Sequence, residues 1–164
     1  MNLYFAYGSN MDQDQMRERC PDAVLIGPVV LADYRLAFTI FSPKRLCGCA
    51  DIVPSAGDSV YGLLYRLTDT DMRALDGFEG HPVHYRRILV RVNSRGEEMD
   101  AYSYEVVHKQ EDLLPSAHYL GLLRAAADRS AFPDNYQAFL RNIQPMIDLG
   151  DERNGSAPET GKRR

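Results

Sequence analysis

Apolar residues in strand-like runs dominate the first part of the chain. Residues 2–7 are mostly apolar and predict a first strand. Residues 11–19 predict a short helix that Asn10 starts and Cys20 ends, because the proline after Cys20 disfavours helical backbone there. The next stretch is rich in β-branched and aromatic residues, with breaks at 27–28, 42–43 and 55–58. It predicts four more strands, at residues 24–26, 29–41, 50–53 and 59–67.

The second half of the chain predicts one hairpin and three helices. Thr68, with an acid three positions later, gives a capping-box pattern for a helix that runs to about Phe78. Residues 85–92 and 99–107 flank a glycine-containing turn, which is the pattern of a hairpin. Two later helices are predicted to begin near Ser116 and Pro133. Strands that pair largely with one another, with helices outside them, predict an α+β fold.

Length, composition and charge fit one domain. The 164 residues are 45% hydrophobic and include 10 tyrosines and 6 phenylalanines, enough for one buried core. The net charge is −4, and the 19 basic residues are spread among 23 acidic ones, which argues against a nucleic-acid partner. Residues 1–148 are predicted to form the domain, and the polar residues 149–164 are predicted to be a disordered tail.

Segments that would indicate a membrane, a leader or a metal are missing from the sequence pattern. No run of about 18 apolar residues occurs, and the first residues lack the features of a signal peptide. We therefore expect a cytoplasmic protein with no membrane partner. The three cysteines are Cys20, Cys47 and Cys49, and their odd number and Cys-x-Cys spacing fit neither a disulfide framework nor a zinc site. Reduced thiols and no metal are expected.

A short polar loop, Tyr7-Gly8-Ser9-Asn10, follows the first predicted strand. Glycine lets backbone approach a ligand closely, while Ser9 and Asn10 offer side-chain groups and N–H donors at the start of a helix. Loops at this position in α/β proteins often bind ligands. The same residue types also suit a plain strand-to-helix turn with Asn10 as N-cap.

Glu79 is the second candidate for chemistry. Leu75 and Phe78 are expected to face the core at helical spacing, which places Glu79 at the edge of that core. Burial there would raise the pKa of Glu79, and a carboxyl with a pKa near neutrality both accepts and returns protons. An exposed glutamate at a helix end is the alternative interpretation. His81 and His84 lie beside it, so a Glu–His pair is a further alternative.

These motifs, with Tyr85 and the segments at 115–119 and 132–136, resemble the γ-glutamylcyclotransferase superfamily over roughly residues 2–140. Its AIG2-like and γ-glutamylamine branches are included in the resemblance. In that family a Tyr-Gly-Ser-Asn loop follows the first strand, the catalytic glutamate precedes a glycine, and a tyrosine comes soon after. The resemblance implies a small mixed β-barrel surrounded by helices, a small-molecule γ-glutamyl substrate and no cofactor.

The resemblance also implies a reaction. The free α-amine of the substrate attacks its own γ-carbonyl, giving 5-oxoproline and a free amine, with Glu79 as general acid/base. Tyr85 is expected to donate to that carboxylate or to orient the amine. The residues expected to bind substrate are Tyr7, Gly8, Ser9, Asn10, Tyr85 and Tyr119.

Several alternatives stay open at this level. The loop N–H groups suit either the oxyanion of the intermediate or the α-carboxylate of the substrate. The leaving group is a glutathione-like peptide, an amino acid or an amine, and the outer wall, expected from segments 42–49 and 106–114, would select among them. The oligomeric state is undetermined. The alternative function is a non-catalytic module that binds a small metabolite on the same fold.

Overall fold

The computed structural model describes residues 1–147. Five strands and four α-helices are present in that part of the chain. The strands are β1 (Asn2–Ala6), β2 (Val24–Ser42), β3 (Cys47–Leu67), β4 (Tyr85–Ser94) and β5 (Glu97–Val106). The helices are α1 (Gln13–Arg19), α2 (Asp69–Glu79), α3 (Ala117–Arg129) and α4 (Asp134–Asn142), and a single 3-10 turn, Ser9–Met11, precedes α1.

The strands close into a barrel in the order β1-β3-β2-β4-β5. The pairs β2–β3, β4–β5, β2–β4 and β1–β3 are antiparallel. A parallel contact between β1 and β5, where Tyr4 lies opposite Tyr102, completes the closure. Fully buried side chains such as Phe5, Ile52 and Leu64 fill the core. The α+β barrel with peripheral helices that the sequence implied is therefore confirmed.

Two predicted strand breaks are wrong, because β2 and β3 absorb the irregular residues as bulges. The pairing shifts register between Leu25 and Gly27, which lets β2 continue through Pro28. Residues 55–58 have no Cα partner and lie opposite Asp33, whose Oδ1 accepts a 2.9 Å hydrogen bond from the Gly57 N–H. The predicted break at 42–43 does coincide with the end of β2.

Helix starts follow local capping chemistry. Thr68 and Asp71 form the predicted reciprocal capping box at α2, and Ser116 caps α3 by accepting from the Tyr119 N–H. The cap of α1 differs from the prediction. Asp12, not Asn10, is its N-cap, and accepts from the Gln15 N–H at 2.9 Å. Asn10 lies one turn earlier, in the 3-10 turn, which leaves its side chain for other contacts.

The remaining global expectations concern the cysteines, the membrane and the chain end. All three cysteines are buried and carry free thiols. Between residues 1 and 147, none of the helices combines the length and the apolar character needed to span a bilayer. The predicted disordered tail, residues 149–164, lies outside the residues that the structure describes.

Candidate active site

A cavity of about 350 Å³ opens at one end of the barrel. The ends of β1 and α2, the 3-10 turn, the β2–β3 hairpin and α3 all contribute to its wall. Segment 42–49 forms part of it, as expected for an outer wall, whereas residues 106–114 do not. The cavity brings together every residue singled out as catalytic or substrate-binding, namely Tyr7, Gly8, Ser9, Asn10, Glu79, Tyr85 and Tyr119.

The end of α2 aims Glu79 into this cavity. Gly80, the next residue, has a left-handed backbone with φ of 66°, and its N–H bonds back to the carbonyls of Asp76 and Gly77. This helix ending favours glycine, since other residues are strained at such φ values. Leu75 is buried as predicted, but Phe78 is 58% exposed and lies at the cavity mouth. The expectation that Phe78 faces the core is wrong, because the core-facing side of α2 ends at Leu75.

The Glu79 carboxyl is largely buried, with 15% of its side chain exposed. Its Oε1 accepts a 2.9 Å hydrogen bond from Asn10 Nδ2 and lies 3.9 Å from Nη1 of Arg19. Burial raises the pKa of Glu79, while the Arg19 charge and the Asn10 hydrogen bond oppose the rise without cancelling it. The shift is in the direction that favours a proton-transfer group at neutral pH.

The side-chain amide of Asn10 makes all of its hydrogen bonds within the protein. Its Nδ2 donates to Glu79 and, at 2.9 Å, to the Tyr4 hydroxyl. Its Oδ1 accepts from Gln15 Nε2 at 2.9 Å and from Arg19 Nη1 at 3.0 Å. Both donor hydrogens and two acceptor positions are therefore occupied, which leaves its backbone N–H rather than its side chain for a ligand.

The loop before α1 presents free backbone donors. Among residues 1–147, the N–H groups of Gly8, Ser9 and Asn10 have no hydrogen-bond acceptor. The Ser9 hydroxyl accepts from Gln15 Nε2 at 2.9 Å. A Cβ at Gly8 would lie 3.1 Å from the Ala50 Cβ and 3.3 Å from the Tyr119 hydroxyl, so glycine allows the loop to approach the cavity wall. Three consecutive free N–H groups favour an anion.

Tyr85 and Tyr119 both bind Ala50 of β3. The Tyr85 hydroxyl donates to the Ala50 carbonyl at 2.8 Å, and the Tyr119 hydroxyl accepts from the Ala50 N–H at 2.9 Å. Of the two roles predicted for Tyr85, donation to Glu79 is wrong, since the hydroxyl hydrogen is used on β3. Orientation of the substrate amine stays a prediction. Burial raises the pKa of both phenols, which keeps them protonated. Tyr119 retains a hydrogen for the cavity, while the Tyr85 oxygen retains acceptor capacity.

Three other tyrosines line the cavity, and their hydroxyls are held by the protein. Tyr7 donates to the carbonyl of Tyr104 at 2.6 Å, and the Tyr104 hydroxyl donates to Asp76 Oδ1 at 2.6 Å. Tyr4 accepts from Asn10. Burial raises the pKa of all three phenols. Neither Tyr4 nor Tyr104 was expected in the site, because strand tyrosines more often serve only in packing.

Two arginines that no sequence pattern marked also line the cavity. Arg19, the last residue of α1, places its Cζ 5.0 Å from the centre of the Phe78 ring. Arg45, in the β2–β3 turn, places its Cζ 5.1 Å from the centre of the Tyr119 ring and donates to Gln15 Oε1 at 2.7 Å. The one available signal was that Arg45 belongs to segment 42–49.

The two histidines near Glu79 in sequence differ in their position relative to the cavity. His84 lines the cavity, whereas His81 does not and accepts at Nδ1 from the Arg87 N–H at 3.1 Å. Within residues 1–147 there is no group of three or more His, Cys, Asp or Glu side chains arranged to hold a metal ion.

Known proteins resemble this chain in sequence and in fold. A family described as "Gamma-glutamyl cyclotransferase, AIG2-like" matches residues 4–121. The gamma-glutamylcyclotransferase of Mus musculus is 34% identical over 149 residues, covering 87% of this chain and 79% of that protein. The Homo sapiens gamma-glutamylcyclotransferase is 32% identical with the same coverage. A solved structure of a gamma-glutamyl cyclotransferase superposes with a TM-score of 0.86 at 30% identity, covering 91% of each chain.

The barrel, its cavity and these relatives define a γ-glutamylcyclotransferase-like enzyme. The chain belongs to the AIG2-like gamma-glutamyl cyclotransferase family.

Proposed function

We propose that this enzyme converts a γ-glutamyl peptide, amino acid or amine to 5-oxoproline and the free amine, with Glu79 as general acid/base. The observation that carries the proposal is the Glu79 carboxyl, which lies buried in the cavity and is oriented by Asn10 at 2.9 Å. Because the nucleophile and the carbonyl belong to one molecule, the enzyme has mainly to fold the glutamyl chain and to move protons.

The first step forms the ring. Glu79 in its ionised form takes a proton from the α-ammonium of the substrate, and the freed amine attacks the γ-carbonyl to give a tetrahedral intermediate. The Arg19 charge and the Asn10 hydrogen bond favour the ionised carboxyl, which makes it available as a base despite its burial. The raised pKa makes the carboxylate a stronger base for this proton and keeps the carboxyl protonated until the second step.

The second step breaks the old amide bond. Glu79 delivers its proton to the departing nitrogen, and the intermediate collapses with cleavage of the old C–N bond. The ring nitrogen gives its remaining extra proton to the regenerated Glu79 carboxylate, which passes it to the freed amine, so the products are 5-oxoproline and the amine as its ammonium ion. One carboxyl serves both transfers if it lies within hydrogen-bond reach of both nitrogens, and such catalysis contributes about 10² to 10⁴ in rate. No water and no cofactor is consumed.

The free N–H groups of Gly8, Ser9 and Asn10 are the proposed anion site of the reaction. They suit the oxyanion of the intermediate, and they suit the α-carboxylate of the substrate equally well. Tyr119 is proposed to donate its free hydroxyl hydrogen to the substrate, and Tyr85 to accept from the α-ammonium. Tyr7 contributes its ring to the wall, since its hydroxyl is bonded to the carbonyl of Tyr104.

Incubation of the purified protein with a panel of γ-glutamyl peptides, amino acids and amines tests the proposal, with 5-oxoproline and the released amine both measured. We expect stoichiometric formation of the two products from at least one class. Glu79→Gln keeps the shape of the side chain and removes its proton transfer, so it should lower kcat by about 10² or more.

The control is a variant that removes a carboxyl of the same size elsewhere. Glu97→Gln, at the exposed first residue of β5, should retain the wild-type rate. Wild-type turnover that Glu79→Gln leaves intact would contradict the assigned role of Glu79. Binding of γ-glutamyl compounds without any turnover would favour the non-catalytic module instead.

A further inference from the structure

The charges around the cavity do not balance. The side chains of two arginines, Arg19 and Arg45, and of one carboxylate, Glu79, line it. Arg19 is accounted for, because it lies 3.9 Å from Glu79 and bonds to Asn10. Arg45 forms no ion pair with any carboxylate of residues 1–147. A cation that faces a cavity without a counter-charge favours an anionic ligand group.

Contacts within the protein fix the orientation of the Arg45 guanidinium. Its guanidinium lies over the Tyr119 ring, with Cζ 5.1 Å from the ring centre, and donates to Gln15 Oε1 at 2.7 Å. Its backbone N–H bonds to the Ser42 hydroxyl at 3.1 Å, which fixes the β2–β3 turn that carries it. A guanidinium has five N–H donors, so this single hydrogen bond leaves a face free for a planar, two-oxygen acceptor such as a carboxylate.

The position of Arg45 indicates which part of the substrate it would meet. The loop at residues 8–10 already supplies free N–H donors for the anions of the glutamyl half. Arg45 instead belongs to the β2–β3 turn, and the turn residues Ser42 and Pro43 line the same wall. Glu79, which has to touch the departing nitrogen in the proposed reaction, lines the same cavity. In an α-amino acid leaving group the carboxylate is two bonds from that nitrogen.

We propose that Arg45 determines specificity by binding the α-carboxylate of the leaving amine, so that γ-glutamyl amino acids are preferred over γ-glutamyl amines and amides that lack it. This inference rests on the proposed cyclotransfer reaction. It assigns Arg45 a role in choosing the leaving group, and leaves proton transfer to Glu79.

The test compares two substrates that differ at one group. γ-Glutamyl-alanine and γ-glutamyl-alaninamide have the same leaving nitrogen, but only the first carries a carboxylate. For wild-type protein we expect the larger kcat/KM with γ-glutamyl-alanine. Arg45→Met keeps an unbranched apolar side chain over Tyr119 and removes the charge. It should lower the ratio of the two kcat/KM values by about 10- to 100-fold, the effect of one charge-assisted hydrogen bond.

Two further variants separate charge recognition from structural damage. Arg45→Lys should give an intermediate ratio, because it keeps the charge and loses the planar donor fork. Lys44→Met removes a positive charge from the neighbouring exposed residue, and should leave the ratio at its wild-type value. Because the ratio compares two substrates on the same protein, a loss of folded protein lowers both rates and does not change it.

The outcomes distinguish this inference from the reaction itself. If wild type cyclises both substrates and Arg45→Met leaves the ratio of kcat/KM values unchanged, Arg45 does not bind the leaving group and the inference fails. The proposed cyclotransfer reaction would still stand in that case. An equal fall for both substrates, in a variant whose circular dichroism spectrum and unfolding midpoint match wild type, would assign Arg45 to the glutamyl half instead. If wild type forms no 5-oxoproline from either substrate or from the wider panel, the two proposals fall together.

Discussion

Asn10 Nδ2 donates a 2.9 Å hydrogen bond to Oε1 of Glu79, so a residue ten positions into the chain orients a carboxyl at the end of α2. The side chain of Asn10 is fixed in turn by Gln15, Arg19 and Tyr4. This network holds the carboxyl in one direction before any ligand arrives. The Tyr-Gly-Ser-Asn loop therefore has two roles. Within residues 1–147, the backbone N–H groups of its last three residues are free hydrogen-bond donors, and the side chain of Asn10 orients Glu79.

Replacing Asn10 by alanine should impair the reaction more than the binding of substrate. The variant loses a hydrogen bond to a charged group, worth about 1.5–3 kcal/mol, and we expect kcat to fall about 10- to 100-fold. KM should change much less, because the Asn10 amide has no capacity left for the substrate. Steady-state kinetics with any cyclised γ-glutamyl compound measures the split. A change confined to KM would show that the side chain binds substrate after all.

Replacing Arg19 by methionine should move the acidic limb of the pH–rate profile. The Arg19 charge lowers the pKa of Glu79, so its removal raises that pKa further. Since Glu79 acts first as a base, kcat/KM should then fall off at a higher pH than in wild type.

Arg17→Met is the matched control for this experiment. Arg17 is on the same helix but largely exposed and paired with Asp14, so its loss should leave the limb in place. Arg19→Lys keeps the charge and should restore most of the wild-type profile. A limb that stays fixed, or moves to lower pH, in Arg19→Met would contradict the assigned electrostatic role.

Glu79 should cost the protein stability at neutral pH. Its pKa is raised on folding, so the unfolded chain ionises first as pH rises and gains stability relative to the folded form. The penalty is absent below the unfolded-state pKa and complete above the folded-state pKa. Glutamine does not ionise. Glu79→Gln should therefore unfold at a higher urea concentration than wild type at pH 7, and the difference should shrink on acidification.

Urea titrations of both proteins across the acidic range measure this difference, with Glu97→Gln as the exposed control. An advantage of Glu79→Gln that is as large at low pH as at pH 7 would trace to packing rather than ionisation. A less stable Glu79→Gln protein at neutral pH would mean that the folded state favours the carboxylate.

The two glycines near the end of α2 should respond oppositely to alanine. Gly80 has a φ of 66°, and a Cβ there would lie 2.5 Å from Cδ2 of His84, so Gly80→Ala should destabilise the fold by about 1 kcal/mol or more. Gly77 lies inside the helix, and a Cβ there would meet no atom within 4 Å. Gly77→Ala should stabilise the protein by about 0.5–1 kcal/mol. Chemical denaturation followed by circular dichroism measures both, and equal shifts of the same sign would refute the argument.

Features governed by short-range chemistry were predictable from the sequence. The Thr68 capping box, the Ser116 cap and the position of Glu79 at the end of α2 depend on residues a few positions apart. The continuity of β2 and β3 was not predictable in this way. It depends on bulges, between Leu25 and Gly27 and at Asp33, that form only when β2 pairs with β3. Glycine and proline residues therefore predicted strand breaks at positions where the strand in fact continues through a bulge.

The arginines of the cavity were missed for a different reason. A long side chain has many rotamers, and its direction is set by partners distant in sequence. Arg45 reaches Gln15 and Tyr119, which lie 30 and 74 positions away along the chain. Tyr4 was missed because a strand tyrosine that packs in a core and one that faces a cavity look the same in sequence.

The hydrogen bonds at Ala50 have a consequence for how this protein can change. Ala50 pairs with Phe38 of β2, and its own N–H and carbonyl point the other way, to Tyr119 and Tyr85. An adjoining strand would ordinarily occupy that edge of β3. At this end of the barrel the cavity thus lies beside a part of the β3 edge that no strand of residues 1–147 covers, and two phenols make the hydrogen bonds that a strand would make. A substitution of either tyrosine that changes the ligand preference also leaves the N–H or the carbonyl of Ala50 unpaired at a strand edge. Because unpaired strand edges promote aggregation, the same substitution should also affect the solubility of the protein.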